Sequence, residues 1–203
     1  MDWSDSWRGA FRIELRAEAI GLASRGWPVL PGTYPTELRW AGRDGDLSAG
    51  PVPLHDDWAR GIPSSPQQVA EWWSGRPYSL LAATGTVLSA IEVDDQLGRR
   101  TAAVLRAAGG PVPIVATPEG QWLFLTESGG SRRELRDTES VILHGEGSWI
   151  PLPPTPYQHG IAHWRVKPEV CGWRLPEAEL VQDAVVRALH VSTELAMAVS
   201  KAA

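Results

Sequence analysis

Residues 79–94 read Ser79-Leu80-Leu81-Ala82-Ala83-Thr84-Gly85-Thr86-Val87-Leu88-Ser89-Ala90-Ile91-Glu92-Val93-Asp94, and this stretch decides the fold. Ser79–Ala83 and Leu88–Asp94 have the apolar content of strands, and Thr84-Gly85-Thr86 turns the chain between them. Side chains alternate across a strand, so Ile91 and Val93 face one way while Ala90, Glu92 and Asp94 face the other. Asp95 is placed to cap a helix carrying Leu97, Thr101, Val104 and Ala108, stopped by Gly109-Gly110.

Working outward, Phe11, Leu15, Ala19 and Leu22 recur at helical spacing over residues 10–25. Trp27-Pro28-Val29-Leu30-Pro31 reads as a short strand edged by prolines. Residues 32–63 show no sustained periodicity and read as a long irregular loop. Ser65-Pro66-Gln67-Gln68 then opens a helix through Trp72-Trp73, with a capping serine and proline at the first turn. Downstream, Val112–Ala116 and Gln121–Leu125 form a hairpin around Thr117-Pro118-Glu119-Gly120. Val141–Leu143 and Trp149–Leu152 flank the Gly145-Glu146-Gly147 turn, and Ile161–Trp164 is a last strand. Leu180, Val181, Val185 and Leu189 mark a C-terminal helix. Strands dominate the middle and helices flank them, which predicts a mixed α+β class with one mixed or antiparallel central sheet. The division expected is a domain over 1–175, with the irregular loop inside it, and a helix over 176–203 packed on or trailing it.

Composition narrows the function classes. A chain of 203 residues with 43% hydrophobic and 21% charged residues is globular rather than disordered. No stretch approaches the ~20 apolar residues of a membrane span, and the acidic, aromatic start is unlike a secretory signal, so a cytoplasmic protein is expected. The single cysteine, Cys171, excludes an internal disulfide and a multi-cysteine metal site. The net charge of −5 comes without a basic stripe, which argues against strong non-specific nucleic-acid binding. Eleven tryptophans allow stacking platforms for bases or sugars, although such residues more often anchor cores.

Glu92-Val93-Asp94 is the chief chemical motif. Two carboxylates two apart on a strand share a face and can point at one divalent cation, with Mg²⁺ or Mn²⁺ the cations suited to oxygen ligands and phosphates. The same spacing at a strand end also serves as a solvated edge or a helix cap. The five histidines show no metal pairing, and neither glycine turn is a P-loop.

Together the spaced segments resemble the bifunctional DNA primase/polymerase (Prim-Pol) domain of the archaeo-eukaryotic primase superfamily. Arg25–Pro31 is similar to the family's first strand. Glu71-Trp72-Trp73, Pro77 and Ser79–Gly85 are similar to its WW…P…NIGIATG stretch. Leu88–Asp94 is similar to LVVLDVD, Thr117–Phe124 to the TxxGGxHLYF hairpin, and His144–Thr155 to RGDGGYVVAPPS, with Trp164 in place of the closing aromatic. The resemblance implies that Glu92 and Asp94 stand where a D-x-D/E pair holds catalytic metal. It aligns Trp122 with the hairpin histidine that contacts the incoming nucleotide, and Ile142 with a third metal-binding aspartate. It further implies Thr84, Gly85, Gly120, Trp122, His144, Gly145 and Gly147 as nucleotide-contacting positions. The 32–63 loop, which in relatives often carries Cys/His ligands, keeps only His55, Asp56 and Asp57.

An indole and an aliphatic chain at two ligand positions predict a retained scaffold with an eroded metal site. The first expectation is therefore a non-catalytic module that binds a nucleotide, single-stranded DNA or a protein partner supplied in trans. The alternative is an active nucleotidyltransferase using Glu92, Asp94 and Glu146 with Mg²⁺ or Mn²⁺. A third reading is a carbohydrate- or peptide-binding module, requiring several of Trp40, Trp58, Trp72, Trp73 and Trp164 aligned and open to solvent.

Overall fold

Leu15, Ala19 and Leu22 lie on one stripe of the first helix and are buried, which is what their spacing demands. The computed structural model describes residues 3–36, 39–43, 48–60, 62 and 65–202, and the side chains among them from 11 to 190. In chain order the elements are α1 (Trp3–Ala23), β1 (Val29–Gly32), β2 (Tyr34–Pro35), β3 (Trp40–Ala41), α2 (Pro66–Trp72), β4 (Ser79–Ala83) and β5 (Leu88–Asp94). There follow α3 (Asp95–Ala107), β6 (Ile114–Ala116), β7 (Gln121–Glu127), the short α4 (Arg133–Arg136) and β8 (Val141–His144). The chain closes with β9 (Trp149–Pro151), β10 (Pro156–Tyr157), β11 (Gly160–Ile161), β12 (His163–Val166) and α5 (Ala178–Ala202). No helix among the described residues is long and apolar enough to cross a membrane.

These elements sort into two compact units, Met1–Val87 with Glu146–His163 and Leu88–Gly145 with Trp164–Ala203. The first holds a three-stranded sheet of order β1-β4-β9, with β4 antiparallel to both neighbours. Every residue of β4 is buried, as an unbroken apolar central strand requires. Thr155 fastens this strand: its hydroxyl accepts from Leu80 N at 2.9 Å and donates to Leu80 O at 2.7 Å, fully out of solvent. Leu80 O also accepts from Leu152 N, so Thr155→Val orphans chiefly the Leu80 N–H. The expected loss is about 1–3 kcal/mol in urea unfolding, and an unchanged midpoint would contradict this role. Ser65 caps α2 by accepting from Gln68 N, with Pro66 as the first helical residue.

The second unit is built on a five-stranded sheet of order β12-β6-β7-β5-β8. Strand β5 runs antiparallel to β7 from Leu88↔Glu127 to Asp94↔Gln121, and to β8 from Ala90↔His144 to Val93↔Val141. Ile91, Val93, Trp122, Phe124 and Val141 form one buried cluster with Leu97 and Leu105 of α3 and Val181 and Val185 of α5. Helix α5 thus contributes core to this unit.

The mixed α+β class holds, and among the described residues the strands form four sheets, the two largest of five and three strands. Ser79–Ala83 and Leu88–Asp94 do not pair; β4 finds its partners in β1 and β9, and β5 in β7 and β8. The Gly145-Glu146-Gly147 turn lies between β8, a strand of the five-stranded sheet, and β9, a strand of the three-stranded sheet. Residues 32–63 are also not featureless. They contain the β2–β3 ladder, a bridge from Gly32 to Pro53, and a single 3₁₀ turn at Trp58–Arg60.

Candidate functional site

The register of the second unit fixes which side chains share a face. Directly paired residues of neighbouring strands point the same way, so Glu92 is flanked by Leu123 of β7 and Ile142 of β8. His144 lies two residues beyond Ile142 on that same face. Its Nε2 is 2.7 Å from Glu92 Oε2, and both side chains are largely buried, at 14% and 19% exposed. A carboxylate only accepts, so the imidazole N–H donates.

Asp94 belongs to this face by alternation but is engaged elsewhere. Its Oδ1 accepts from Leu97 N at 2.8 Å, making it the N-cap of α3. The cap expected at Asp95 is therefore one residue earlier. Asp95 instead pairs with Arg99 at 2.7 Å and accepts from the Trp122 indole Nε1 at 2.8 Å.

Trp122 occupies the opposite face from Glu92. It pairs with Val93, is 4% exposed, and packs in the core cluster beside Phe124. A Cβ added to Gly98 would come within 2.7 Å of its ring, so the helix approaches the indole as only glycine allows. On the cluster's rim the Arg165 guanidinium lies 4.0 Å from the ring centroid. An indole so enclosed packs as part of the core, on the face opposite Glu92.

The model of the family described as bifunctional DNA primase/polymerase, N-terminal (Prim-Pol) matches residues 19–180. The chain belongs to the Prim-Pol family. A search of curated proteins finds no match. Against the family's TxxGGxHLYF hairpin, counting from Thr117 puts the histidine six residues on, at Leu123 and not at Trp122. Leu123 is the residue that pairs with Glu92, and it is fully buried. Ile142, at the third-aspartate position, pairs with Glu92 from the other side and is 52% exposed. Both departures from the Prim-Pol pattern therefore fall on the acidic face itself.

The donors that this face offers a divalent cation are the carboxylates of Glu92 and Asp94, each with one oxygen already in a hydrogen bond. Glu92 has spent one oxygen on His144, Asp94 has spent one on the helix cap, and the strand positions between and beside them are aliphatic. Among the described residues no three His, Cys, Asp or Glu side chains are grouped so as to hold a metal ion. Oxygen-ligated cations take most of their ligands from carboxylates, carbonyls and water, which Leu123 and Ile142 cannot supply.

The remaining expected positions divide between the units. Gly120, with φ +83°, shapes the β6–β7 turn, in which Thr117 accepts from Gln121 N. Gly145 ends the first segment of the second unit. Thr84, Gly85, Glu146 and Gly147 belong to the first unit, where Thr84 N donates to Ser148 O. Gly85 has φ +103° and meets the Glu146 backbone so closely that a Cβ would stand 2.3 Å from Glu146 Cα. The Glu146 side chain is exposed. Trp40 and Trp73 are buried, which removes them from any aligned solvent-facing platform.

Glu119, at the tip of the β6–β7 turn, carries the site's one resolved pKa shift. Partial burial raises its carboxyl above the ordinary 4.5, and the nearby Glu92 charge adds to the rise. A raised carboxyl pKa contributes stability at low pH that is lost as pH rises through the folded value. Glu119→Gln is therefore expected to raise Tm slightly at pH 7, with the advantage gone below pH 4.5. A constant difference across that window would contradict the assignment.

Proposed function

We propose that this Prim-Pol domain binds rather than polymerises, its nucleotidyl-transfer site having lost the ligands for catalytic metal. The observation that carries the reading is the row Leu123–Glu92–Ile142, in which the carboxylate is flanked by two aliphatic side chains on one sheet face. Phosphoryl transfer depends on positioned charge and bridging metal ions. A face with one carboxylate tied to His144 and another tied to a helix supplies too little of either. The net charge of −5 favours a protein partner over the phosphate backbone of DNA.

Calorimetric titration of a deoxynucleoside triphosphate, with and without Mn²⁺, tests the reading. The expected result is no Mn²⁺-dependent binding heat. Saturable binding that appears only with Mn²⁺ and is lost in Glu92→Gln would support the active alternative, in which Glu92, Asp94 and Glu146 share a cation.

A further inference from the structure

Within the first unit a cavity of about 330 Å³ is lined by the aromatic Trp58, Trp72 and Tyr78, by the exposed Asp57, Glu71 and His55, and by the apolar Leu30, Pro31 and Leu54. Two of these aromatic side chains pack against other rings. Trp58 packs edge-on against Trp149 with ring centroids 5.7 Å apart, and Tyr78 lies 6.0 Å from the Tyr34 ring. Beside them the buried Trp73 donates its Nε1 hydrogen to Tyr78 O at 3.0 Å, tying the end of α2 to the residue that completes the cavity. Among the described residues neither Asp57 nor Glu71 is ion-paired; Arg43 is taken by Asp56.

Three aromatic side chains and two carboxylates outside any ion pair among the described residues are complementary to one ligand chemistry, an organic cation. Aromatic faces attract cations through their negative quadrupole, most often the guanidinium of arginine, and more strongly when desolvated. Carboxylates accept the same group's N–H donors in a bidentate fork. Phosphate or nucleotide is disfavoured by the two negative charges, and a neutral sugar leaves both carboxylates unused. The cavity is small, near the lower end of the roughly 300–1,000 Å³ of ordinary ligand sites, and suits a side chain better than a cofactor.

We propose that this cavity is an aromatic cage that receives an arginine side chain of a partner protein. The proposal is independent of the fate of the Glu92 site. The excess of acidic residues on the chain, 24 against 19 basic, steers a basic partner toward it.

The test is titration of the full chain, ¹⁵N-labelled at its tryptophan indoles, with Nα-acetylarginine amide, its neutral isostere Nα-acetylcitrulline amide, and tetramethylammonium. The arginine derivative is expected to shift the Trp58 and Trp72 indole signals saturably, and the citrulline derivative to bind at least tenfold more weakly. Trp72→Ala should abolish the shifts. Glu71→Gln, an exposed change that leaves the fold in place, should weaken binding several-fold. Equal response to citrulline, no response to any cation, or full binding by Glu71→Gln would overturn the cage. Binding of tetramethylammonium without arginine would overturn the partner-protein source and assign the cavity to a free quaternary ammonium.

Discussion

Ile142→Asp is expected to raise the affinity for Mn²⁺ by about tenfold or more, since an added anionic ligand is a main determinant of affinity at oxygen-ligated sites. The substitution puts a carboxylate directly across from Glu92 on an antiparallel pair, and two residues from His144 on the same face. Opposed Cβ atoms on such a pair are ~5 Å apart, within reach of one cation. Ile142 is 52% exposed, so removing it sacrifices little packing. The cost is like-charge repulsion of about 0.2–1 kcal/mol without metal, measurable in urea and reversed by Mn²⁺. Adding Glu92→Gln should abolish the gain, the non-additivity expected of two ligands to one ion. If Ile142→Asp leaves Mn²⁺ affinity unchanged, the aliphatic residue is not what the face lacks.

Trp122→Ala is expected to cost about 3–5 kcal/mol, the range for emptying a large aromatic site in a core. For a chain of this length that lowers Tm by roughly 10 °C. The loss has several sources: contact with Phe124, the close approach of Gly98, the hydrogen bond to Asp95 and the Arg165 contact. Trp122→Phe keeps most of the volume and forfeits the hydrogen bond, so its cost should be clearly smaller. A nucleotide-contacting Trp122 predicts the opposite pattern, with stability nearly unchanged and ligand binding lost.

Local patterning made the strands and helices around the site legible. Alternation along 88–94 put Ile91 and Val93 on one face and Ala90, Glu92 and Asp94 on the other, in keeping with the packing of Ile91 and Val93 in one cluster and the pairing of Glu92 with Leu123 and Ile142. Ser65 and Pro66 announced their helix through capping chemistry that needs only neighbouring residues. Pairing was harder to read. Ser79–Ala83 and Leu88–Asp94 are adjacent in sequence, yet their hydrogen-bonding partners come from segments up to about 70 residues away in sequence, and no local signal separates one sheet from two. The helix cap was misplaced by one residue because Asp94 and Asp95 are chemically equal candidates. Which one caps depends on where β5 stops extending.

At the site, a slip of one position carried Trp122 to the wrong face, since strand side chains reverse with every residue. Two signals place Leu123 beside Glu92 instead: the count from Thr117 and strict alternation away from the core residues Trp122 and Phe124. The His144–Glu92 contact joins residues 52 apart and required the β5–β8 register. The aromatic cage required tertiary placement too, because Trp58 and Trp72 come from the irregular loop and from α2, respectively.

The proposed binding role requires that the acidic face does not support nucleotidyl transfer. Its most direct test is incorporation of a labelled deoxynucleotide on a primed single-stranded template in the presence of Mn²⁺. No extension above a no-protein control is expected at any protein concentration. Template-directed product that Glu92→Gln eliminates would contradict it.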